Sequence, residues 1–195
     1  MKHSTIRELF DYWNVQRGAR SAPERSEIEP GAIRHVLADT FMLAFDPRTE
    51  HPFRIAGTRI CAAFGRELKG AAFTDVWAAA SRDPVRELLA TVANESVGVV
   101  AGASARSHEG AALELELLLL PLAHRGGASP RILGALVPTE TPYWLGAQTL
   151  GRLTLGIIRY LGPQTGPYSV PRRPPALLAD ERVRHGLVVY DGGHA

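Results

Sequence analysis

The chain carries a single cysteine, Cys61, among 195 residues, which excludes an intrachain disulfide and a multi-cysteine zinc site and suits a reducing compartment. Long apolar runs are missing too. Nothing approaches the roughly 18 uncharged apolar residues of a membrane-crossing helix, and MKHSTIRELFDYW places charges where a signal peptide would have its apolar core. The formal net charge of +2 is small and the arginines are dispersed, which argues against a nucleic-acid surface. Also absent are a G-x-S-x-G elbow, a P-loop, a G-x-G-x-x-G turn and any H-x-x-x-H pair, so nucleophilic, nucleotide and metal chemistry have no local signature. These absences describe a cytoplasmic protein that is not an enzyme, has neither nucleic acid nor membrane as a partner, and holds no metal.

What is present is ordinary globular material. Hydrophobic residues make up 45% and charged residues 22%, far from the composition of a disordered chain, and the length suits one domain with extensions. Ile6, Leu9, Phe10 and Trp13 recur at i, i+3, i+4 and i+7, the stripe of an amphipathic helix. Thr5 and Glu8 match a capping box, and Gly18 is a natural stop. A stripe this narrow must dock on something, either the rest of the domain or a second chain.

Pro30 suits the first turn of a short helix that turns Ile33, Val36 and Leu37 inward. Residues 40–45 (TFMLAF) and 53–58 (FRIAGT) read as an antiparallel hairpin. The stretch 57–77 has helix-forming pieces punctuated by Gly65 and Gly70, which predicts several short helices. Asp83 as cap and Pro84 at the first turn open a longer helix carrying Val85, Leu88, Leu89 and Val92, ended at Gly98. Three β-like runs follow, 99–106, 113–122 and 132–138.

In the middle run Glu114 and Glu116 alternate with Leu113, Leu115 and Leu117, and then Leu118 and Leu120 fall on the glutamate face. One side of the sheet therefore begins in water and ends under cover, with the N-terminal helix as the candidate lid. The core LTLGII reads as a further strand, with part of a glycine-interrupted helix as the alternative, 162–175 with its PRRPP run as loop, and HGLVVYDGG as a final short strand.

Two strands, short helices, one longer helix and three strands form the element sequence of a PAS domain. The block FRIAGTRICAAFGRELKGAAFTDVW, together with ELFDYWNVQRG, SEIEPGAIRHVL and the late DGG, resembles a family of bacterial single-domain PAS-like proteins over most of the chain. The resemblance implies an α+β fold: a five-stranded antiparallel sheet with short helices on one face, used for sensing or protein interaction. It divides the chain into an N-terminal helix and connector (1–29), a PAS-like core (30–140) and a C-terminal extension (141–195). It transfers no catalytic residue and no ligand.

Cys61 sits in RICAAF, unlike a flavin-adduct cysteine, and reads as a small buried apolar residue. Haem needs an axial ligand, and the longer helix contains no histidine. His35 on an earlier helix and His51, His108 and His124 in turns read as satisfied or solvated side chains. Arg66 is a candidate partner for an anionic ligand or, with Glu67, a structural tie between the short helices and a strand.

If the interior holds a small molecule, Cys61, Phe64, Phe73, Trp77, Leu89, Val92 and Leu117 should line it; the alternative is a fully packed core. Interface candidates are Ile6, Leu9, Phe10, Trp13, Leu118 and Leu120, in a homodimer paired through the N-terminal helix or in a monomer whose helix folds back onto Leu118 and Leu120. With no kinase, cyclase or DNA-binding segment in the sequence, a signal would leave through the surface to a protein partner. The rival function is a ligand-free scaffold of the same fold.

Overall fold

The computed structural model describes residues 1–123, 130–161, 183–184 and 187–188. The expected loop at 162–175, His124 and the DGG run lie outside them. Ser4–Arg17 form helix α1, with Ile6, Leu9 and Trp13 buried. Its cap is His3, whose Nδ1 accepts the Thr5 N–H at 3.2 Å, in place of the expected Thr5–Glu8 box. Gly18, at φ +55°, ends it.

A 3-10 turn at Pro30–Ile33 leads to strands β1 (Thr40–Ala44) and β2 (Phe53–Ala56). Ile33 and Val36 are buried as expected, but Leu37 is exposed. Thr58, placed at the end of β2 by the sequence pattern, instead opens helix α2 (Thr58–Phe64). A 3-10 turn at Phe73–Val76 precedes helix α3 (Ala79–Glu95).

Helix α3 starts earlier than Asp83 and Pro84 suggested and carries Pro84 inside it. A proline near a helix start forfeits one backbone bond, and the contacts with the strand that follows Leu153 hold the earlier turn. The Ala78 N–H donates to the Leu153 carbonyl at 2.8 Å, and the Ser81 Oγ accepts the Leu155 N–H at 3.0 Å. Ser96 in the left-handed region closes α3, and Gly98 opens the next strand rather than ending the helix.

Strands β3 (Gly98–Arg106), β4 (Ala112–Leu122), β5 (Arg131–Pro138) and β6 (Thr154–Leu161) complete one antiparallel sheet of order β2-β1-β5-β4-β3-β6. The first five follow the expected succession. The sixth, β6, is the LTLGII strand; it pairs along β3 at an edge and so carries the sheet past residue 140. Near the C-terminus Val183–Arg184 (β7) and Leu187–Val188 (β8) form a separate two-stranded pair; the latter falls within HGLVVYDGG.

Strand alternation divides β4 between two cores. Leu113, Leu115, Leu117 and Leu119 face α2, α3 and the rings of Phe41, Phe53, Phe73 and Trp77. Leu118, Leu120 and Leu122 face the opposite way and pack with Ile6, Leu9 and Trp13 of α1. Helices therefore cover both faces, α1 being the lid on the second.

Candidate functional site

The expected interior residues come together, but as packed core. Phe73, Trp77, Leu89, Val92 and Leu117 are buried in one cluster, with Cys61 and Phe64 partly buried against it. Phe73 meets Phe41, Phe53 and Trp77 at ring-centroid distances of 5.5, 5.4 and 5.8 Å. Among the described residues the Trp77 indole N–H has no hydrogen-bond partner, although the side chain is 0% exposed. Such a donor costs on the order of 1–3 kcal/mol.

The stretch 57–70 positions α2 beside this core. A Cβ at Gly57 would stand 2.3 Å from the Ala38 carbonyl oxygen, so only glycine lets α2 start this close to the turn before β1. The Glu67 carboxylate accepts the N–H groups of Leu68 and Lys69 at 3.1 and 3.0 Å and lies 3.7 Å from the Cys61 Sγ. It thus closes its own turn rather than tying α2 to a strand, and Arg66 is exposed. Burial, followed in smaller measure by the Glu67 charge, pushes the Cys61 thiol up from its ordinary value.

The interface candidates Ile6, Leu9 and Trp13 pack on Leu118 and Leu120 of their own chain, while Phe10 is half-buried. The Trp13 indole N–H donates to the Pro121 carbonyl at 2.8 Å. Sequence reasoning missed the polar half of this dock. Glu116 is 6% exposed, on the same face as Leu118. Its carboxylate accepts the Lys2 N–H at 2.9 Å on each oxygen and the His3 N–H at 2.9 Å on one, with the Met1 amino group 3.7 Å away.

Burial alone would raise the Glu116 pKa, but the His3 and Lys2 N–H groups, the amino terminus and Arg159 outweigh it and hold the carboxyl below its ordinary range. The signal was present in the alternation of β4, where a glutamate among leucines next to covered positions must find donors or stay neutral.

Beside the dock lies a cleft of about 380 Å³, lined by His3 and Thr5, by Asp39, Arg59 and Ile60, and by the ends of β4 and β5 with Leu145 and Leu150. None of the expected interior residues lines it. It opens because β1 stops short: the β1–β5 ladder ends at Thr40↔Ala135, whereas β5 continues along β4 to Leu115↔Pro138. The notch is floored by Leu136 and Val137, and Val137 stands opposite Glu116 in register. Dock and cleft thus share both the start of α1 and the end of β5.

Among the histidines, His35 meets Glu8 of α1 from the turn after Ile33, and His108 is exposed. His51 is buried and stacks on Phe45 at 4.9 Å. Burial drives its pKa down, against the raising influence of Glu50 and Asp46. Among the described residues no group of three or more His, Cys, Asp or Glu could hold a metal ion, and no helix is long and apolar enough to cross a membrane.

An open antiparallel sheet with α2 and α3 on one face, and a docked amphipathic helix on the other, defines an α+β module. The chain belongs to the PAS domain family, whose model matches residues 1–137, helix α1 included. No curated protein matches the chain, and no solved structure does. The family makes this a sensory or regulatory module in the general sense.

Proposed function

We propose that the protein is a non-enzymatic cytoplasmic PAS module whose output is the docking state of α1 on the sheet, read by a protein partner. The observation that carries this reading is the composition of the dock. Three apolar side chains and one buried carboxylate hold the helix, and the carboxylate grips the backbone N–H groups of Lys2 and His3, the second of which also lines the cleft. Whatever fills the cleft touches the same turn that Glu116 holds. A ligand that fits one docking state better shifts the population, by that difference in affinity and no more.

Release of α1 would bare Ile6, Leu9 and Trp13 together with Leu118 and Leu120, an apolar surface suited to a partner. A homodimer paired through Ile6, Leu9 and Trp13 would have to exchange α1 between chains. The interior residues Cys61, Phe64, Phe73, Trp77, Leu89, Val92 and Leu117 are the second place for a small molecule, supported by the unpartnered Trp77 N–H. Their close packing supports the rival function, a ligand-free scaffold of the same fold.

Hydrogen–deuterium exchange tests the main reading. Glu116→Gln should speed exchange over residues 4–17 and leave β3, β4 and β5 protected. Uniform exchange in both regions, or none, would show that α1 is an integral part of the core and not a separable output. Native mass and the absorbance spectrum of freshly purified protein then separate a ligand-bearing sensor from the scaffold.

A further inference from the structure

We propose that the cleft between α1, α2 and the end of β5 binds a small monocarboxylate with an apolar body, the carboxylate on Arg59 and the body on Leu113, Leu136 and Leu145. This deepens the sensory reading and rests on it. The volume, about 380 Å³, falls in the lower part of the roughly 300–1,000 Å³ range of small-molecule sites, which combine apolar walls with a few fixed polar groups.

The polar groups on the wall select the charge. Asp39 is buried and already takes an Arg59 Nη1 hydrogen at 2.6 Å. The Arg59 side chain is 67% exposed, and a guanidinium has further N–H donors in a planar fork that matches a carboxylate. His3 Nδ1 is an acceptor for the Thr5 N–H, so in the neutral ring Nε2 bears the proton and is a second donor. The Arg59–Asp39 pair is neutral as a whole, so the free donors of Arg59 select the ligand: a carboxylate can accept them and an ammonium cannot. Each further negative charge would stand beside Asp39, which favours one carboxylate over two.

The walls agree with this assignment. Because the β1–β5 ladder stops at Thr40↔Ala135, no described strand pairs with β5 beyond Ala135 on that side, and Leu136, Val137 and Pro138 line the cleft together with Arg59 and Leu145. An apolar body suits these mostly aliphatic walls.

Isothermal titration of the full chain with octanoate tests the proposal, using 1-octanol and octylammonium as probes with the same tail and different charge. Octanoate should bind saturably and at least about tenfold more tightly than octanol, as expected for a charge-assisted bidentate contact. Octylammonium should not bind. Arg59→Gln should weaken octanoate by a similar factor, and Asp39→Asn with Arg59→Gln should do the same without leaving a buried carboxylate alone. Leu145→Trp should block the cleft while far-ultraviolet circular dichroism stays unchanged.

Absence of saturable octanoate binding overturns the proposal. So does octanol or octylammonium binding as well as octanoate, or octanoate affinity indifferent to both Arg59 variants and to Leu145→Trp. If octanoate fails while Glu116→Gln still loosens α1, the ligand class falls and the docking reading stands. If octanoate binds and α1 exchange responds to neither ligand nor variant, the docking reading falls and the site stands.

Discussion

The two faces of the sheet bury comparable stretches of leucine and are held in different ways. On the inner face aromatic rings and two helices enclose Leu113, Leu115, Leu117 and Leu119, and the buried indole N–H of Trp77 has no partner among the described residues. On the outer face a single helix covers Leu118, Leu120 and Leu122, and its polar atoms are paired: Trp13 with the Pro121 carbonyl, Glu116 with two backbone N–H groups. Shape holds the first face, and directed bonds hold much of the second. A face held by a few specific bonds can be released by breaking them, whereas a filled core yields only by unfolding.

The largest expected effect is on the inner face. Trp77→Ala should cost about 3–5 kcal/mol of unfolding free energy in a denaturant titration, since the side chain is fully enclosed. A loss under about 1 kcal/mol would mean that the interior can collapse or was never closely packed.

Next comes the outer dock. Glu116→Gln should cost roughly 1.5–3 kcal/mol, the range for hydrogen bonds to a charged group, and the cost should appear first in α1. Acid should have the same effect as the substitution. The folded Glu116 pKa is held below its ordinary value of 4.5, so its contribution is complete above that pH and is lost as pH falls through the depressed folded value. Tryptophan fluorescence should therefore show α1 loosening in acid in the natural chain, at a point that Glu116→Gln lacks.

A smaller and sharper comparison sets the two indoles side by side. Trp13→Phe forfeits the bond to Pro121 and Trp77→Phe forfeits none, while both lose similar ring area. Relative to its area loss, Trp13→Phe should be the costlier by about 1 kcal/mol; equal costs would mean that Trp77 has an acceptor after all. Smallest is Cys61. With its thiol pKa raised, alkylation by iodoacetamide at neutral pH should be slower than for free cysteine, and Cys61→Ser should leave α1 exchange unchanged.

Most of the fold was legible because its signals are local or periodic. The α1 stripe, the alternation in β4 and the glycine-punctuated short helices each announce themselves within about ten residues. The cleft was not legible, because it arises from a mismatch in length between β1 and β5, strands separated by some 90 residues, and no local pattern records where one neighbour stops. Phe73 and Trp77 read as aromatic walls in sequence, but large rings fill space as readily as they line it. The Glu116 dock fell between these cases. Its alternation was visible, and its donors, the backbone of residues 2 and 3, carry no side-chain signature.

That last point bears on which substitutions the dock tolerates. Glu116 recognises main chain, so Lys2 can be exchanged for almost any amino acid without disturbing the grip, and His3 for any residue that still caps the helix, such as serine or asparagine. Proline is the exception at both places, since it has no amide hydrogen to give. A chain with proline at position 2 would be nearly silent by composition and yet ungrip its own first helix.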